Sequence, residues 1–480
     1  MTKEVGITVK KSVDFSEWYT QCVIKSGIAD YSPGKGFIIL RPYGYAIWEN
    51  IKEILDDQFK NTGHKNGFLP VLIPESLLTV EKNHFEGFMP EVYWVTKSGN
   101  NDLGEKLAVR PTSETLAYSM FSKWISSYRD LPLKLNFWNS ALRAEIKSTK
   151  PLIRNSEFLW QEGHTAHSNE KEANDEVRMI LDLYKMLIEE YLAIPTVSGL
   201  KTDKEKFVGA NYTTCLESLM PDGKALQMAT SHNLAQNFSK PFEIKFLDKD
   251  SAEHLVWQTS WGISWRVIGA LIMVHGDDKG LILPPKISPT QIIIVPIYKD
   301  ESKEIVKQKA YELENKLKDS NIRAYTDDRD EFTSGWKFNE WEMKGVPLRV
   351  NIGIRDIREE QVELIRRDTR ERFYVKEKDL VNETLSILEN IQSNMYHLAK
   401  NYLLTNTRNA TRLDELLSML DSSGGFVACS WCGKRECEDL VKEKTTADIR
   451  IIPFNTKKNI SSCIACGKEG TTEVYFGSAY

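Results

Sequence analysis

The residue order predicts an α+β protein: an antiparallel-sheet core with helices packed on it, then an α/β unit, then a short cysteine-rich end. Three observations carry this expectation. Up to about residue 284, strand-like apolar runs are followed by long helical stretches, the pattern of an antiparallel sheet flanked by helices. From Ile292 onward strands and helices alternate, as in a mixed or parallel sheet. Five cysteines then crowd into residues 429 to 466. At 480 residues the chain exceeds what one core holds, roughly 250 to 300 residues, so it is expected to divide as 1–284, 285–398 and 399–480.

In chain order, Phe15 to Ser26 shows helical spacing, and "SPGKG" breaks the chain before an apolar run. "FIILRPYGYAIWENIKEILDDQF" reads as a short strand, a Pro-Tyr-Gly turn and an amphipathic helix with Ile47, Ile51, Ile54, Leu55 and Phe59 on one face. Gly67 to Leu78 reads as a buried strand, and Val92 to Thr115 as a hairpin around a Gly/Asn turn. A helix starts in "SETLAYSMFSKWI", with Thr112 or Ser113 as its cap. Strands around Leu133–Trp138 and Glu157–Gln161 frame an arginine-rich loop, and residues 170 to 192 form a helix with Val177, Ile180, Leu181, Tyr184 and Leu187 inward. Strand pieces follow near 195–200, 225–230 and 242–247, before the segment "WGISWRVIGALIMVHG". The three prolines of "LPPKISPTQ" mark the first boundary. Beyond it come strand "IIIVPI", helix "SKEIVKQKAYELENKL", strand "IRAYTDD", helix "SGWKFNEWEMKG" and strands "PLRVNIG" and "QVELIRR". A helix from about residue 377 leads out.

A formal net charge of −5 gives no global pull toward nucleic acid or membrane, so any RNA contact rests on local basic patches. No apolar run approaches the roughly 20 residues that span a bilayer, and "MTKEVGITVKKSVDFSEW" has no apolar signal core. A soluble, cytoplasmic protein with no membrane partner is expected. Cys22 and Cys215 stand alone, whereas the clustered five suggest a metal site in a reducing compartment.

The most informative stretch is Leu107 to Gly163. Arg143 and Arg154 flank a polar loop, with Glu145, Glu157 and Glu162 among them. Arginine forks bind carboxylate or phosphate oxygens in pairs, and nearby glutamates orient them or receive an ammonium group. Such a set suits an amino acid meeting a nucleotide, although exposed Arg/Glu alternation alone is more often plain surface charge.

Five blocks in series are more specific: "RPTSET" (Arg110 to Thr115), "LWQEGHTA" (Leu159 to Ala166), "SHNLAQNFSKPFEIKF" (Ser231 to Phe246), "HGDDKGLILPP" (His275 to Pro285) and "DDRDEFTSGWKFNEWEMKGVPLR" (Asp327 to Arg349). Together they resemble the class II aminoacyl-tRNA synthetases, specifically the prolyl-tRNA synthetase family in its archaeal and eukaryotic type, over essentially the whole chain. The resemblance implies a class II antiparallel-sheet catalytic core, an α/β anticodon-binding domain and a small zinc-binding C-terminal domain. It implies a homodimer formed through the Pro42 strand-and-helix segment, with ATP, L-proline and tRNA(Pro) as substrates and Mg²⁺ accompanying ATP.

The same resemblance distributes roles. Arg143 would bridge the substrate carboxylate and the α-phosphate, and Arg266, in "WGISWR", would hold the γ-phosphate; these two are the catalytic candidates. Arg154 would meet the distal phosphates and Phe158 would stack on adenine, with Glu145, Asn155, Gln227, Thr230 and Ser264 completing the nucleotide site. Thr112, Glu114 and Glu162 would accept the secondary amine of proline, while Trp160, Phe207, His232, Ser260 and Gly262 would wall its ring. From residue type alone Phe207, Trp160 and Trp261 read more often as core aromatics, and His164 and His232 more often as hydrogen-bonded structural histidines. Ser156, and Met228 with Ala229, depart from the family pattern beside the nucleotide site.

In the second unit, Lys344, Arg349, Arg355, Arg366 and Arg367 mix with Trp336, Phe338 and Trp341. Bases of single-stranded loops are read by stacking and edge hydrogen bonds, and by resemblance this is the anticodon platform, with Glu342 and Lys344 as base readers. By spacing alone Cys429-x₂-Cys432 is the more usual metal knuckle; the resemblance instead selects Cys432, Cys437, Cys463 and Cys466 for structural Zn²⁺. It also turns Tyr480, at the end of "YFGSAY", back toward the active site.

Overall fold

The computed structural model describes residues 6–82, 91–144, 148–455 and 461–480. Among them an eleven-stranded sheet runs through the molecule. Strand Glu157–His167 lies between Leu133–Leu142 and Trp257–Ser264, followed outward by Ala225–Ala235, Tyr212–Leu219 and Val197–Leu200, every pair antiparallel. The antiparallel α+β core expected from the strand pattern is what forms. The sheet then passes directly to the C-terminal residues, because Asp448–Pro453 pairs with Val197–Leu200 and carries Thr472–Gly477, Phe426–Trp431 and Thr407–Asn409 beyond it.

Strand Glu157–His167 sorts its side chains by parity. Gln161 and Gly163 face the helices: the Gln161 side chain accepts from Tyr184 Oη at 2.5 Å, and a Cβ on Gly163 would sit 2.1 Å from the Trp261 ring. Trp261 packs in turn on Phe59 and Tyr184, which makes the core's aromatic centre. Trp160, Glu162 and His164 point to the other face.

Helix Pro42–Asn61 buries Ile47, Ile51, Leu55 and Phe59 as expected. The expected Pro-Tyr-Gly turn is instead the helix's first turn, since proline at the first helical position gives up an N–H that has no helical acceptor. Gly44 is required there: a Cβ would stand 2.4 Å from the Ile28 carbonyl.

The expected buried strand at Gly67–Leu78 shrinks to Leu72–Pro74, followed by helix Glu75–Lys82, and Phe68 is 85 % exposed. Pro70 and Pro74 withhold the donors that a longer strand would need. Several strands escaped the sequence reading, among them the strands from Thr407 onward and two with a local reason. Tyr212–Leu219 is rich in Thr, Ser and Glu, which read as loop, and Arg372–Lys376 is short and half exposed.

The second sheet has the order Ala324–Thr326, Ile292–Ile297, Leu348–Gly353, Gln361–Arg366, Arg372–Lys376, its first three strands parallel and the rest antiparallel. Helices Lys303–Lys318 and Ser334–Met343 pack against it, and helix Leu380–Thr405 leads to the C-terminal strands. No helix among the described residues is long and apolar enough to cross a membrane.

Candidate active site

The register of the large sheet assembles the site. Across adjacent strands Trp160 faces Ser264, Glu162 faces Gly262 and His164 faces Ser260, while Gly262 and Ser260 face Thr230 and His232 on the next strand. A Cβ on Gly262 already comes within 3.3 Å of the Trp160 ring, so a larger residue would close this face. Between Ala229 and Gln227 the pairing slips: Ala229 opposes Leu216, but Gln227 opposes Glu217. The bulged Met228 thereby turns Gln227 onto the same face as Thr230.

These strands floor a cavity of about 300 Å³. Thr112, Glu114, Arg143, Arg154, Asn155, Phe158, Trp160, Glu162, Phe207, Gln227, Thr230, His232, Ser260, Gly262, Ser264 and Arg266 all line it. Glu145 lies outside the described residues. Met228 and Ala229, expected beside the nucleotide site, line the cavity as well, and sequence reasoning missed Glu205, Thr213, Leu152, Ile153, Ile263 and Trp265 as lining. Thr213 had a signal only in the overlooked strand, and the apolar members read as ordinary core.

At one end of the cavity three guanidiniums converge from separate elements. Arg143 ends strand Leu133–Leu142, where its N–H donates to the Ser156 carbonyl at 2.7 Å and its guanidinium stands 5.2 Å from the Phe158 ring centre. Arg154 closes the loop by exchanging two 2.9 Å backbone hydrogen bonds with Lys150. Arg266 is the first residue of helix Arg266–His275. Among the described residues none of the three has a carboxylate at ion-pair distance, because Glu217, which the Arg266 charge senses, is engaged by Lys201 at 2.6 Å and Arg450 at 2.9 Å. Burial, then repulsion by Arg143, lowers Arg266 to about 10, so it stays cationic at neutral pH. Both amide atoms of Asn155, the Trp160 indole N–H and the Ser260 hydroxyl are buried with no protein partner among the described residues. Unpaired charge and orphaned polar atoms on one cavity call for a polar, anionic ligand.

The other end is acidic. Glu162 accepts from the Ser113 N–H at 3.2 Å, from the Ser113 hydroxyl, from Asn139 at 2.9 Å and from His164 Nε2 at 3.3 Å. Burial raises its pKa, but the His164 contact and the Ser113 and Asn139 hydrogen bonds outweigh this and hold it low, while His164 is held high. Ser113 does occupy the N-cap of helix Glu114–Trp124, yet its hydroxyl serves Glu162 and not the helix, a correction to the expected cap. Glu114 accepts the Thr112 hydroxyl. His232 stacks on Phe207 at 4.8 Å and bonds the hydroxyls of Thr213 and Thr230 at 2.9 and 3.1 Å. Burial, aided by His164, pushes its pKa down to about 3, so its ring is neutral at physiological pH.

A pH dependence follows. Burial also lowers His167 and His275 to about 4, and these two with His232 bind protons more readily unfolded. Stability is then lost as pH falls below about 6.5, opposed in part by His164, shifted upward, and by Glu438, which burial raises to about 7. The expected net loss between pH 7 and pH 5 is about 2 kcal/mol, read from urea midpoints; a rise in stability over that interval would contradict it.

The cysteines meet the tetrahedral test. Cys432 and Cys437 sulfurs lie 3.5 Å apart, Cys432 and Cys466 3.9 Å, and with Cys463 all four ligand atoms lie within 4.8 Å of one another. Four sulfurs at about 2.3 Å from one zinc would be separated by about 3.8 Å. Cys429 is not in this group; it is buried in strand Phe426–Trp431, and burial raises its thiol pKa.

On the second sheet, Glu342 and Lys344 stand at the end of helix Ser334–Met343, where Lys344 Nζ bonds Glu340 at 2.8 Å and lies 4.5 Å over the Trp341 ring. Arg349 lies 3.9 Å over Phe338. Arg366 and Arg367, expected in an exposed basic platform, are instead buried and paired with Asp368 and Asp277. A guanidinium in that setting is held by its carboxylate partner. Tyr480 donates to Asp222 at 2.5 Å, and Lys150, at the base of the arginine loop, stands 4.7 Å over its ring.

Comparison with known proteins agrees with this geometry. Residues 93–275 match the class II core domain of tRNA synthetases (G, H, P, S and T), residues 291–387 an anticodon binding domain and residues 413–480 the prolyl-tRNA synthetase C-terminal domain. The chain is 55 % identical to a "Proline--tRNA ligase" of Cenarchaeum symbiosum, covering 99 % of this chain and all of that one. It is 52 % identical to the protein of that name in Natranaerobius thermophilus, over 98 % and 97 % of the two chains. A "Proline--tRNA ligase 2" of Bacillus cereus is 48 % identical over the full length of both. With the arginine-lined cavity, the two sheets and full-length identity of this order in agreement, the chain belongs to the prolyl-tRNA synthetase family of class II aminoacyl-tRNA synthetases.

Proposed function

We propose that this enzyme activates L-proline with ATP and transfers it to the 3′ end of tRNA(Pro). The observation that carries the reading is the convergence of Arg143, Arg154 and Arg266, without carboxylate partners among the described residues, on a cavity whose opposite end holds Glu114 and Thr112. In the first step a proline carboxylate oxygen attacks the α-phosphorus and pyrophosphate leaves; in the second a ribose hydroxyl of the tRNA attacks the acyl carbon and AMP leaves. Neither step needs a nucleophile from the protein, so positioning and charge stabilisation carry the catalysis. Arg143 holds carboxylate and α-phosphate together, Arg266 and Arg154 take the distal phosphates, and Phe158 supports the base. Asn155, Gln227, Thr230 and Ser264 complete the nucleotide side. Glu114 and Thr112 receive the amine, and Glu162, already accepting four hydrogen bonds, works mainly by orienting them. Trp160, Phe207, neutral His232, Ser260 and Gly262 shape a pocket for a small apolar ring.

Mg²⁺ fits the oxygen donors Gln227 and Glu205 on the cavity wall and, when bound with ATP, neutralises phosphate charge. Proline-dependent ATP–pyrophosphate exchange tests the function, with serine, threonine and glycine run alongside. No exchange with proline, or faster exchange with another amino acid, would remove this reading.

Zn²⁺ fits the four thiolates Cys432, Cys437, Cys463 and Cys466 as a structural ion. Purified protein is expected to carry about one zinc per chain, kept in Cys429→Ser and lost in Cys437→Ser; the reverse pattern by metal analysis would move the site to Cys429. Glu342 and Lys344 are read as anticodon contacts, and 1–284, 285–398 and 399–480 as the domains. The homodimer reading is supported by the exposed Ile39, Tyr45 and Phe68 around helix Pro42–Asn61, and a monomer mass by light scattering would exclude it. A cytoplasmic location belongs to the same reading.

A further inference from the structure

The residues read as anticodon contacts and the helix that begins at Arg266 meet at one turn. Helix Arg266–His275 ends at Gly276, and Asp277 then receives both prongs of the Arg367 guanidinium, Nη1 to Oδ2 at 2.9 Å and Nη2 to Oδ1 at 2.6 Å. Arg367 Nε donates to the Glu342 carbonyl at 2.8 Å. The two backbones also touch: the Leu281 N–H donates to the Met343 carbonyl at 3.0 Å, and a Cβ on Gly280 would lie 2.6 Å from that oxygen. Buried Arg367 is thus a fixed bolt between the two sheets' units. Arg370 is its exposed counterpart. Its Nη2 donates to Asp277 Oδ2 at 3.1 Å while its Nε lies 3.8 Å from Glu342 Oε1, so one guanidinium is shared between a carboxylate of each unit.

We propose that Arg367 and Arg370, acting through Asp277, are positioning residues that couple occupation of Glu342 by tRNA to the placement of Arg266. The proposal rests on the reading of Glu342 and Lys344 as anticodon contacts. A base that donates N–H groups to Glu342 competes with Arg370 for that carboxylate, and the released guanidinium charge falls on Asp277 alone. Asp277 lies two residues past the end of a ten-residue helix about 15 Å long, and a hydrogen-bonded helix of that length moves as a unit. A change at its last turn therefore reaches Arg266 in the cavity. Buried Arg367 sets the register of that motion and Arg370 biases it.

The test uses full-length protein and two transcripts, tRNA(Pro) and the same tRNA with its anticodon bases replaced. Arg370→Gln is the main variant because its side chain is exposed and its loss leaves the bolt in place; Arg370→Lys keeps the charge, and Asp277→Asn probes the bolt itself. Wild type is expected to prefer the native anticodon. Arg370→Gln should shrink that preference about tenfold through kcat, with tRNA KM and tRNA-free pyrophosphate exchange held within about twofold, and Arg370→Lys should recover part of it. Unchanged preference in Arg370→Gln, or a parallel fall in tRNA-free exchange, overturns the coupling. If wild type itself charges both transcripts equally, the anticodon reading of Glu342 and Lys344 fails first, and the coupling falls with it.

Discussion

Replacing Arg143 by alanine is expected to slow proline-dependent pyrophosphate exchange by about two to three orders of magnitude, a loss of ~2.7 to 4 kcal/mol of transition-state stabilisation. The guanidinium lies where, in the proposed chemistry, negative charge moves from a carboxylate to a phosphate, and among the described residues no lysine lines the cavity to replace it. Arg266→Ala should match it, because Arg266 is likewise without a carboxylate partner among the described residues and retains its proton at neutral pH. The two substitutions together should cost less than the sum of the singles, since both act on one triphosphate. Arg143→Lys should recover only part of the rate, because an ammonium cannot hold two oxygens in a fork. Folding should be intact, as the native guanidinium has no internal ion pair among the described residues to lose. Near wild-type exchange by Arg143→Ala would refute the assignment.

Arg450→Met should destabilise the protein by about 1.5 to 3 kcal/mol, the range for losing a hydrogen bond to a buried charged group that keeps its other cation. Glu217 is 0 % exposed, on the cavity side of strand Tyr212–Leu219, and is held by Lys201 at 2.6 Å and Arg450 at 2.9 Å. Lys201 also donates to the Arg450 carbonyl at 2.8 Å, so the C-terminal strand Asp448–Pro453 is tied to the floor of the site by charge as well as by sheet pairing. Without Arg450, one oxygen of Glu217 has only Lys201 to compensate it, and the other, Oε2, already has no partner among the described residues. Because Glu217 opposes Gln227 at the bulge, the ATP KM should rise with the loss of stability. Replacing Lys201, Glu217 and Arg450 together by apolar residues should be milder for stability than Arg450→Met alone. Denaturant midpoints decide it, and a change under about 1 kcal/mol for Arg450→Met would show that the triad does not hold the C-terminal strands.

How much of this was legible in the residue order depends on the range of the interaction concerned. Helix Pro42–Asn61 and strand Glu157–His167 were readable because periodicity is local: a 3.6-residue or two-residue repeat fixes which side chains share a face. Clustered cysteines and an Arg-rich loop between strands are local as well. Tyr212–Leu219 was hidden because its threonines and glutamate belong to the cavity, where polar side chains are wanted, and they make the strand look like a loop.

What the chain determined by itself was the class of most elements, the charged set around Leu107–Gly163 and the crowding of five cysteines into residues 429 to 466. Only the tertiary structure decided which residues face together. An odd and an even position such as Gln227 and Thr230 cannot share one face of a regular strand, and the bulge at Met228 alone brings them there. It also turned Arg366 and Arg367 from a presumed basic surface into buried partners of carboxylates, and joined Arg450 to Glu217 across 233 positions. Burial and pairing between distant segments depend on how sheets and helices close on one another, and periodicity along the chain does not encode that closure.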